Sequence, residues 1–261
     1  MQGTYDVGLV LTSILVATLA SYAALNLASR VTSGEGSRLW LVGGAIAMGF
    51  GIWSMHFIGM LAFSLPIPLA YDPAITLASL AIAIVTSGIA LAVVAQMAIL
   101  SETEIDVPIL VAGGVIMGAG ICGMHYTGMA AMRMSPPIQY TPSLFALSMV
   151  IAVSASLVAL WLAFTLRVGD ARRLSWYRLA AAIVMGLAIT GMHYTAMAAS
   201  MFKPGALCTA RGIFQMSNAL LGYGLAGASL ILLGAAILTP RAARAVVESL
   251  SPLPRPASEK E

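Results

Sequence analysis

Seven stretches of the chain contain no Asp, Glu, Lys or Arg, and each is about 20 residues long or longer. At a rise of about 1.5 Å per residue, an apolar helix of that length crosses the roughly 30 Å hydrocarbon core of a bilayer. The chain is 60% apolar and 9% charged, whereas soluble domains carry about 25% charged residues. The predicted spans are Val7–Leu27, Leu39–Leu65, Ala74–Leu100, Val107–Met132, Ser143–Leu166, Leu179–Phe202 and Ile213–Thr239.

We therefore predict an all-α polytopic membrane protein in a lipid bilayer, with seven transmembrane helices in residues 6–240 and a short, disordered cytoplasmic tail in residues 241–261. If the loops alternate between the two sides, ten of the 13 Lys and Arg residues fall on one side. The positive-inside rule makes that side cytoplasmic and places the N-terminus outside. Because the net charge is only +3, these cations indicate topology, and we predict no nucleic-acid partner.

The chain contains three histidines, and all three lie in matching surroundings. The matching segments are Met48–Met60, Met117–Met129 and Met185–Met197, and each has Met eight residues before, one residue before and four residues after its histidine. The spacings of 69 and 68 residues equal two helices with their loops, so the sequence predicts three two-helix repeats. The histidines then lie on even-numbered helices that run in the same direction, near the outer side of the membrane, where a pseudo-threefold axis could bring them together.

Histidine together with methionine is a donor set that suits copper, and thioethers favour Cu(I) in particular. Haem ligation by His or by His and Met stays open at this point, as does a structural role in which each His bonds a neighbouring helix and each Met packs. Tyr and Thr residues after two of the histidines could support the imidazoles from a second layer, or the Tyr rings could simply lie at the interface. The candidate metal ligands are His56, His125, His193, Met55, Met60, Met124, Met129, Met192 and Met197, and the supporting candidates are Tyr126, Tyr194, Thr127 and Thr195.

Other functional classes receive little support from the sequence. No Asp or Glu lies deep in a predicted span, which argues against a carboxylate proton relay. The Gly118–Gly123 segment matches the pattern of a nucleotide-binding loop, but it lies inside a span without a preceding strand. Nothing resembles a nucleophile with its base, so we predict that the chain is not an enzyme.

The repeated Met-His-Tyr-Thr signature resembles that of the MHYT family, a bacterial integral membrane sensor domain. It is complete at Met124–Thr127 and Met192–Thr195, whereas the first copy reads Met-His-Phe-Ile at Met55–Ile58. The resemblance implies a multi-pass protein of the bacterial inner membrane that binds copper at outer His/Met motifs and senses redox state or oxygen, carbon monoxide or nitric oxide. Many family members carry cytoplasmic domains that make or degrade cyclic di-GMP. This chain shows none, so we expect either that it signals through a separate cytoplasmic signalling protein at the ends of its helices or that its role differs from theirs.

Copper handling or transport is the alternative function. A path for Cu(I) across the bilayer would need donors along its entire length. The motif methionines instead lie in the outer two-thirds of the predicted helices, which favours the sensor.

Overall fold

The computed structural model describes residue 1 and residues 3–32, 37–101, 104–167, 171–210 and 218–250. Each of its seven helices contains a segment long and apolar enough to cross a membrane, which confirms the predicted number of spans. The helices are α1 (Val7–Val31), α2 (Ser37–Ala62), α3 (Pro73–Leu100), α4 (Val107–Ala130), α5 (Pro142–Thr165), α6 (Ala171–Ala199) and α7 (Asn218–Leu250).

The helix ends follow from local sequence. The Asp6, Asp72 and Asp106 carboxylates accept backbone N–H bonds at the first turns of α1, α3 and α4, satisfying donors that a helix leaves unpaired. Three span ends were predicted too far along the chain, because α2, α4 and α6 end at Ala62, Ala130 and Ala199, before the predicted ends Leu65, Met132 and Phe202.

The last helix also differs from the prediction. It continues through Leu250, so the first ten residues of the predicted tail are helical, and residues 251–261 lie outside the described part. The predicted start of the last span, Ile213, lies outside it as well.

Helices α1 to α6 form a closed ring in which each helix packs on the next and α6 packs on α1. Helix α7 lies outside the ring against α1 and α2. In each repeat, the glycine seven residues before the histidine contacts the backbone of an odd-numbered helix. A β-carbon there would lie 2.5–2.8 Å from a Cα atom of that helix, and the pairs are Gly49 with Ile84, Gly118 with Val153, and Gly186 with Thr18. Small residues thus permit the close approach on which packing in lipid depends.

Three two-stranded antiparallel pairs lie at the end of the ring where α2, α4 and α6 finish, which we call the histidine end. They are β1 (Thr4–Tyr5) with β2 (Phe63–Ser64), β3 (Met134–Ser135) with β6 (Leu207–Cys208), and β4 (Gln139–Tyr140) with β5 (Ser200–Met201). These pairs were not predicted from the sequence. Together with backbone hydrogen bonds of 2.8–2.9 Å, from Asp6 to Ala62, Asp72 to Ala131 and Thr141 to Ala199, they fix the end of each even helix to the start of an odd one.

Candidate metal centre

The three histidines meet on the axis of the ring. His56 Nδ1 lies 3.1 Å from Nδ1 of His193 and 3.1 Å from Nδ1 of His125. The ring centroids are 4.8–5.2 Å apart, and the planes are steeply inclined to one another. All three side chains are at most 1% exposed. The predicted convergence of the histidines is therefore present in the fold.

The outward-facing nitrogens of the triad have no hydrogen-bond partner among the described residues. This holds for Nε2 of His56, His125 and His193. Glycines three residues after two of the histidines let the rings reach this position. A β-carbon on Gly59 would overlap His193 Nε2 and lie 2.9 Å from its Cδ2, and one on Gly128 would overlap His56 Nε2 and lie 3.0 Å from its Cδ2. Each of these two glycines therefore leaves room for the imidazole of a histidine that belongs to another repeat.

The six predicted methionine ligands divide into two groups. Met60, Met129 and Met197, four residues after the histidines, lie in one buried cluster with Phe63 and Phe202 at the histidine end. The other three lie in separate apolar clusters, namely Met55, Met124 and Met192. The structure brings the first group together over the axis and does not bring the second group together. Prediction of all six as one ligand set therefore goes further than the fold allows.

The tyrosines that follow two histidines bond to serines of odd helices, and their hydroxyls do not reach the imidazoles. Tyr126 Oη lies 2.8 Å from Ser148 Oγ, and Tyr194 Oη lies 2.9 Å from Ser13 Oγ. Each serine hydroxyl already donates to a backbone carbonyl at 2.7 Å, so each tyrosine is the donor.

The tyrosines and the threonines among the supporting candidates differ in how they lie relative to the triad. The tyrosine rings do meet their neighbouring imidazoles edge-on, at 4.9 and 4.7 Å. Thr127 and Thr195 lie two residues, or about 200°, around the helix from the histidines and so face away from the triad. The predicted hydrogen bonds from Tyr126 and Tyr194 to the imidazoles are therefore replaced by bonds to serines, and a supporting role for Thr127 and Thr195 stays a prediction.

The first repeat keeps this bond with a different residue. Phe57 stands where the other repeats have tyrosine, and Trp53 Nε1 donates instead to Ser79 Oγ at 3.0 Å. Ser79 also donates to a carbonyl at 2.7 Å and is fully buried. Sequence reasoning missed these serines, although one signal was available: serines spaced eight residues apart recur on α1, α3 and α5. The recurring pairs are Ser13 and Ser21, Ser79 and Ser87, and Ser148 and Ser156.

A second aromatic layer closes the histidine end. Tyr5, Tyr71 and Tyr140 precede the three odd helices, and each packs on the residue after a histidine at 5.1–5.8 Å between centroids. Burial and the neighbouring Tyr194 raise the pKa of Tyr5 to about 12, and burial with Tyr126 raises that of Tyr140 to about 12. These hydroxyls therefore stay neutral throughout the physiological range, which favours their position beside the membrane core.

Below the triad, the axis continues through layers of apolar side chains. Four residues before each histidine stands an isoleucine, and eight residues before it stands a methionine. These residues, with small residues of α1 and α5, line a cavity of about 30 Å³, and buried Ser156 lines it with its Oγ unpartnered among the described residues. Farther from the triad, the axis is bordered by the small and aliphatic residues Ala24, Leu25, Ala28, Ala90, Leu91, Val94, Ala159, Leu160 and Ala163.

The triad therefore offers nitrogen donors in a dry site enclosed by three helices. His56, His125 and His193 are the residues that could hold a metal ion, and Met60, Met129 and Met197 form a buried group of thioethers four residues farther along the same helices. Imidazoles and thioethers coordinate soft and borderline metal ions.

Known proteins are similar in sequence to the part of this chain that contains the helices and the triad. The family model described as "Bacterial signalling protein N terminal repeat", MHYT, matches residues 1–44, 49–103 and 118–176. The bifunctional diguanylate cyclase/cyclic di-GMP phosphodiesterase MucR of Pseudomonas aeruginosa is 54% identical over 80% of this chain and 30% of its own length. The signalling protein YkoW of Bacillus subtilis is 41% identical over 76% of this chain and 24% of its own length.

A third relative is the cyclic di-GMP phosphodiesterase NbdA of Pseudomonas aeruginosa, 44% identical over 75% of this chain and 24% of its own length. No solved structure matches. The chain thus spans about a quarter to a third of the length of these relatives. In MucR and NbdA the match covers the membrane sensor part and not the enzymatic part. The family model matches more than half of the residues of this chain, so the chain belongs to the MHYT family of bacterial signalling proteins.

Proposed function

We propose that this chain is a membrane sensor that binds one copper ion between His56, His125 and His193 and signals when the ligands or the redox state of that ion change. The convergence of three buried Nδ1 atoms on the axis is the observation that carries the proposal. Copper bound there supplies a soft centre that can take up a small diatomic molecule.

The geometry of the triad fits a metal ion. With a metal–nitrogen bond of about 2.0 Å, three nitrogens in a plane around an ion are about 3.5 Å apart. Two of the Nδ1 pairs are 3.1 Å apart, so small ring movements give that spacing. In the absence of a metal ion, hydrogen bonds between the imidazoles would satisfy only the inward Nδ1 atoms. With a cation bound to the Nδ1 lone pairs, the N–H of each imidazole is carried by its Nε2.

The donor set favours copper over the other candidates. Three imidazoles alone also suit zinc, so the choice of metal rests on the neighbouring thioethers, which are not among the usual zinc ligands. The imidazole rings meet at 4.8–5.2 Å between centroids, a spacing that suits one shared ion better than a porphyrin. Met60, Met129 and Met197 provide thioethers on the same helices, which favours Cu(I).

Signalling requires that the ion bind two packings of the helices with different affinity. One histidine comes from each of α2, α4 and α6, so a change in coordination acts on three helices at once. The positive-inside rule places the histidine end outside and the opposite end in the cytoplasm of the bacterial inner membrane. There the helices would act on a signalling partner, and the names of the relatives suggest cyclic di-GMP turnover as its chemistry.

The alternative function, copper transport, fits the axis less well. Beyond the layer of Met48, Met117 and Met185, the axis is bordered by alanine, leucine and valine. Cu(I) on that path would leave its soft donors for apolar surroundings, which costs free energy. The outer position of the donors suits an ion that stays in place.

Metal analysis of protein purified from membranes tests the proposal. We expect copper in the wild type and a large loss of it with His56→Ala, His125→Ala or His193→Ala. Met149→Leu is a matched control, because Met149 is 42% exposed on α5, away from the triad. Equal copper content in the wild type and all three histidine variants would overturn the proposed site.

Gas sensing has its own measurement. Carbon monoxide added to the Cu(I)-loaded protein should give an infrared C–O band that His125→Ala removes. A loaded protein that binds no carbon monoxide would contradict gas sensing through an open copper position, while the metal site itself would stand.

A further inference from the structure

Soft donors outside the repeated motif lie over the triad. The buried cluster at the histidine end, here called the thioether cap, contains the motif residues Met60, Met129 and Met197 and also Met132 and Met134. Cys208 packs against this cluster. The motif explains three of these six sulfur side chains, and the other three come from the connecting segments.

Cys208 and Met134 lie directly opposite each other in the β3–β6 pair. Opposite residues of an antiparallel pair point to the same face, with β-carbons about 4.5–5.5 Å apart. That face is the thioether cap, because Met134 is a member of it and Cys208 packs on it. Cys208 is only partly buried. Its thiol lies 2.9 Å from the Met132 carbonyl oxygen and 3.4 Å from the Ala70 carbonyl oxygen, and its sulfur accepts the Ala70 N–H at 3.4 Å. A thiol and a thioether are therefore held side by side at the edge of the cap.

A pocket of about 400 Å³ connects this edge with the motif. It lies between the end of α4 and the start of α5, and both Met134 and Met129 line it. Met134 belongs to the rim strand β3, and Met129 is fully buried four residues after His125. Sulfur donors thus follow one another from the edge of the cap toward the triad.

We propose that Cys208 and Met134 form a second metal site, which captures Cu(I) at the outer surface and passes it through Met129 to the histidine triad. Thiolate and thioether are the side chains that Cu(I) prefers. Capture forms a sulfur–copper bond while the Cys208 thiol releases its proton to water. Transfer exchanges sulfur ligands for imidazole, and the thiolate is reprotonated, so no electron is gained or lost. The inference rests on the proposed function, since the triad is the destination of the ion.

Anaerobic titration of the purified full chain with Cu(I), against a coloured Cu(I) chelator, tests the proposal. We expect two ions in the wild type, one in the Cys208→Ser/Met134→Leu variant and one in the variant with all three histidines changed to alanine. The Cys208→Ser/Met134→Leu variant should also fill its triad at least tenfold more slowly. Met201→Leu is the matched control, because Met201 is 45% exposed at the same end and lies outside the cap.

The outcomes separate the two proposals. If Cys208→Ser/Met134→Leu binds two ions at the wild-type rate, the capture site is wrong and the triad stands. If the histidine variant keeps both ions, the proposed function is wrong.

Should the triple variant not fold, a second readout applies to the folded wild type. Bound Ag(I) should protect Cys208 from alkylation at least tenfold, and unprotected Cys208 in the Ag(I)-loaded protein would overturn the capture site.

Discussion

The two halves of the axis share one threefold arrangement but differ in what they place on it. The histidine end carries imidazoles, thioethers and hydrogen bonds between helices, such as Tyr126 to Ser148 and Trp53 to Ser79. The opposite half is bordered by alanine, leucine and valine and contains a cavity of about 30 Å³. Polar groups in a membrane are costly unless they are paired, so the three imidazoles buried on the axis mark the histidine end as the functional half.

The difference also indicates how the halves could behave. Strand pairs and hydrogen bonds fix the histidine end. Along the axis of the opposite half small apolar side chains pack together, and at its far end Arg178 donates a hydrogen bond from α6 to Asn26 of α1. A change at the triad would then be transmitted to a half that can repack at low cost. The following substitutions test this division.

The largest expected effect comes from Gly128→Ala. Its new β-carbon would overlap His56 Nε2, so the ring must leave its position on the axis. We expect at least a 100-fold loss of copper affinity and, from overpacking, a loss of about 1–3 kcal/mol in the free energy of unfolding. Copper titration and unfolding in detergent measure the two effects.

Gly123→Ala is the matched control on the same helix, because the nearest atom to its added β-carbon is 3.9 Å away. It should keep the copper affinity. Wild-type affinity in Gly128→Ala would show that the ring position does not matter for metal binding.

A smaller effect is expected from the hydrogen bonds of the histidine end. Trp53→Phe and Tyr126→Phe each remove the donor to a buried serine and should each cost about 1 kcal/mol. Tyr177→Phe serves as control, since Tyr177 is 55% exposed on α6. Trp53→Phe in the first repeat should lower the free energy of unfolding by as much as Tyr126→Phe does in the second. A loss confined to Tyr126→Phe would disprove the substitution of Trp53 for the missing tyrosine.

The smallest effect belongs to the opposite half. Ala159→Val adds volume beside the cavity of about 30 Å³, and at about 24 cal/mol per Å³ the gain is at most about 0.7 kcal/mol. Copper affinity should not change. Ala152→Val, on the same helix at a buried position that does not line this cavity, should destabilise instead. A fall in copper affinity with Ala159→Val would show that the two halves are more tightly coupled than we infer.

Much of the fold could be predicted because its causes are local in the sequence. Span length predicts the seven helices, and the repeat spacing predicts that the histidines lie at one level on parallel helices. The three imidazoles meet if the repeats close into a ring of helices. The closing contact of α6 with α1 joins distant parts of the chain, and no short pattern encodes it.

The site was harder to predict in detail because the position of a side chain depends on how its helix crosses the axis. The residues of α2 that line the axis are spaced four apart, from Met48 through Ile52 and His56 to Met60. Rows of residues with this spacing form the ridges by which tilted helices pack against each other. Met55 lies about 100° from His56 around the helix and so falls outside that ridge. Partners on other helices, such as Ser13 for Tyr194, depend on tertiary packing.

X-ray absorption spectroscopy at the copper edge of the Cu(I)-loaded Cys208→Ser/Met134→Leu variant, in which only the triad site remains, tests the central claim most directly. The account predicts three imidazole nitrogens at about 2.0 Å, with this signal lost in the variant that lacks all three histidines. A first shell of sulfur alone, or an imidazole signal that the histidine substitutions leave unchanged, would contradict it.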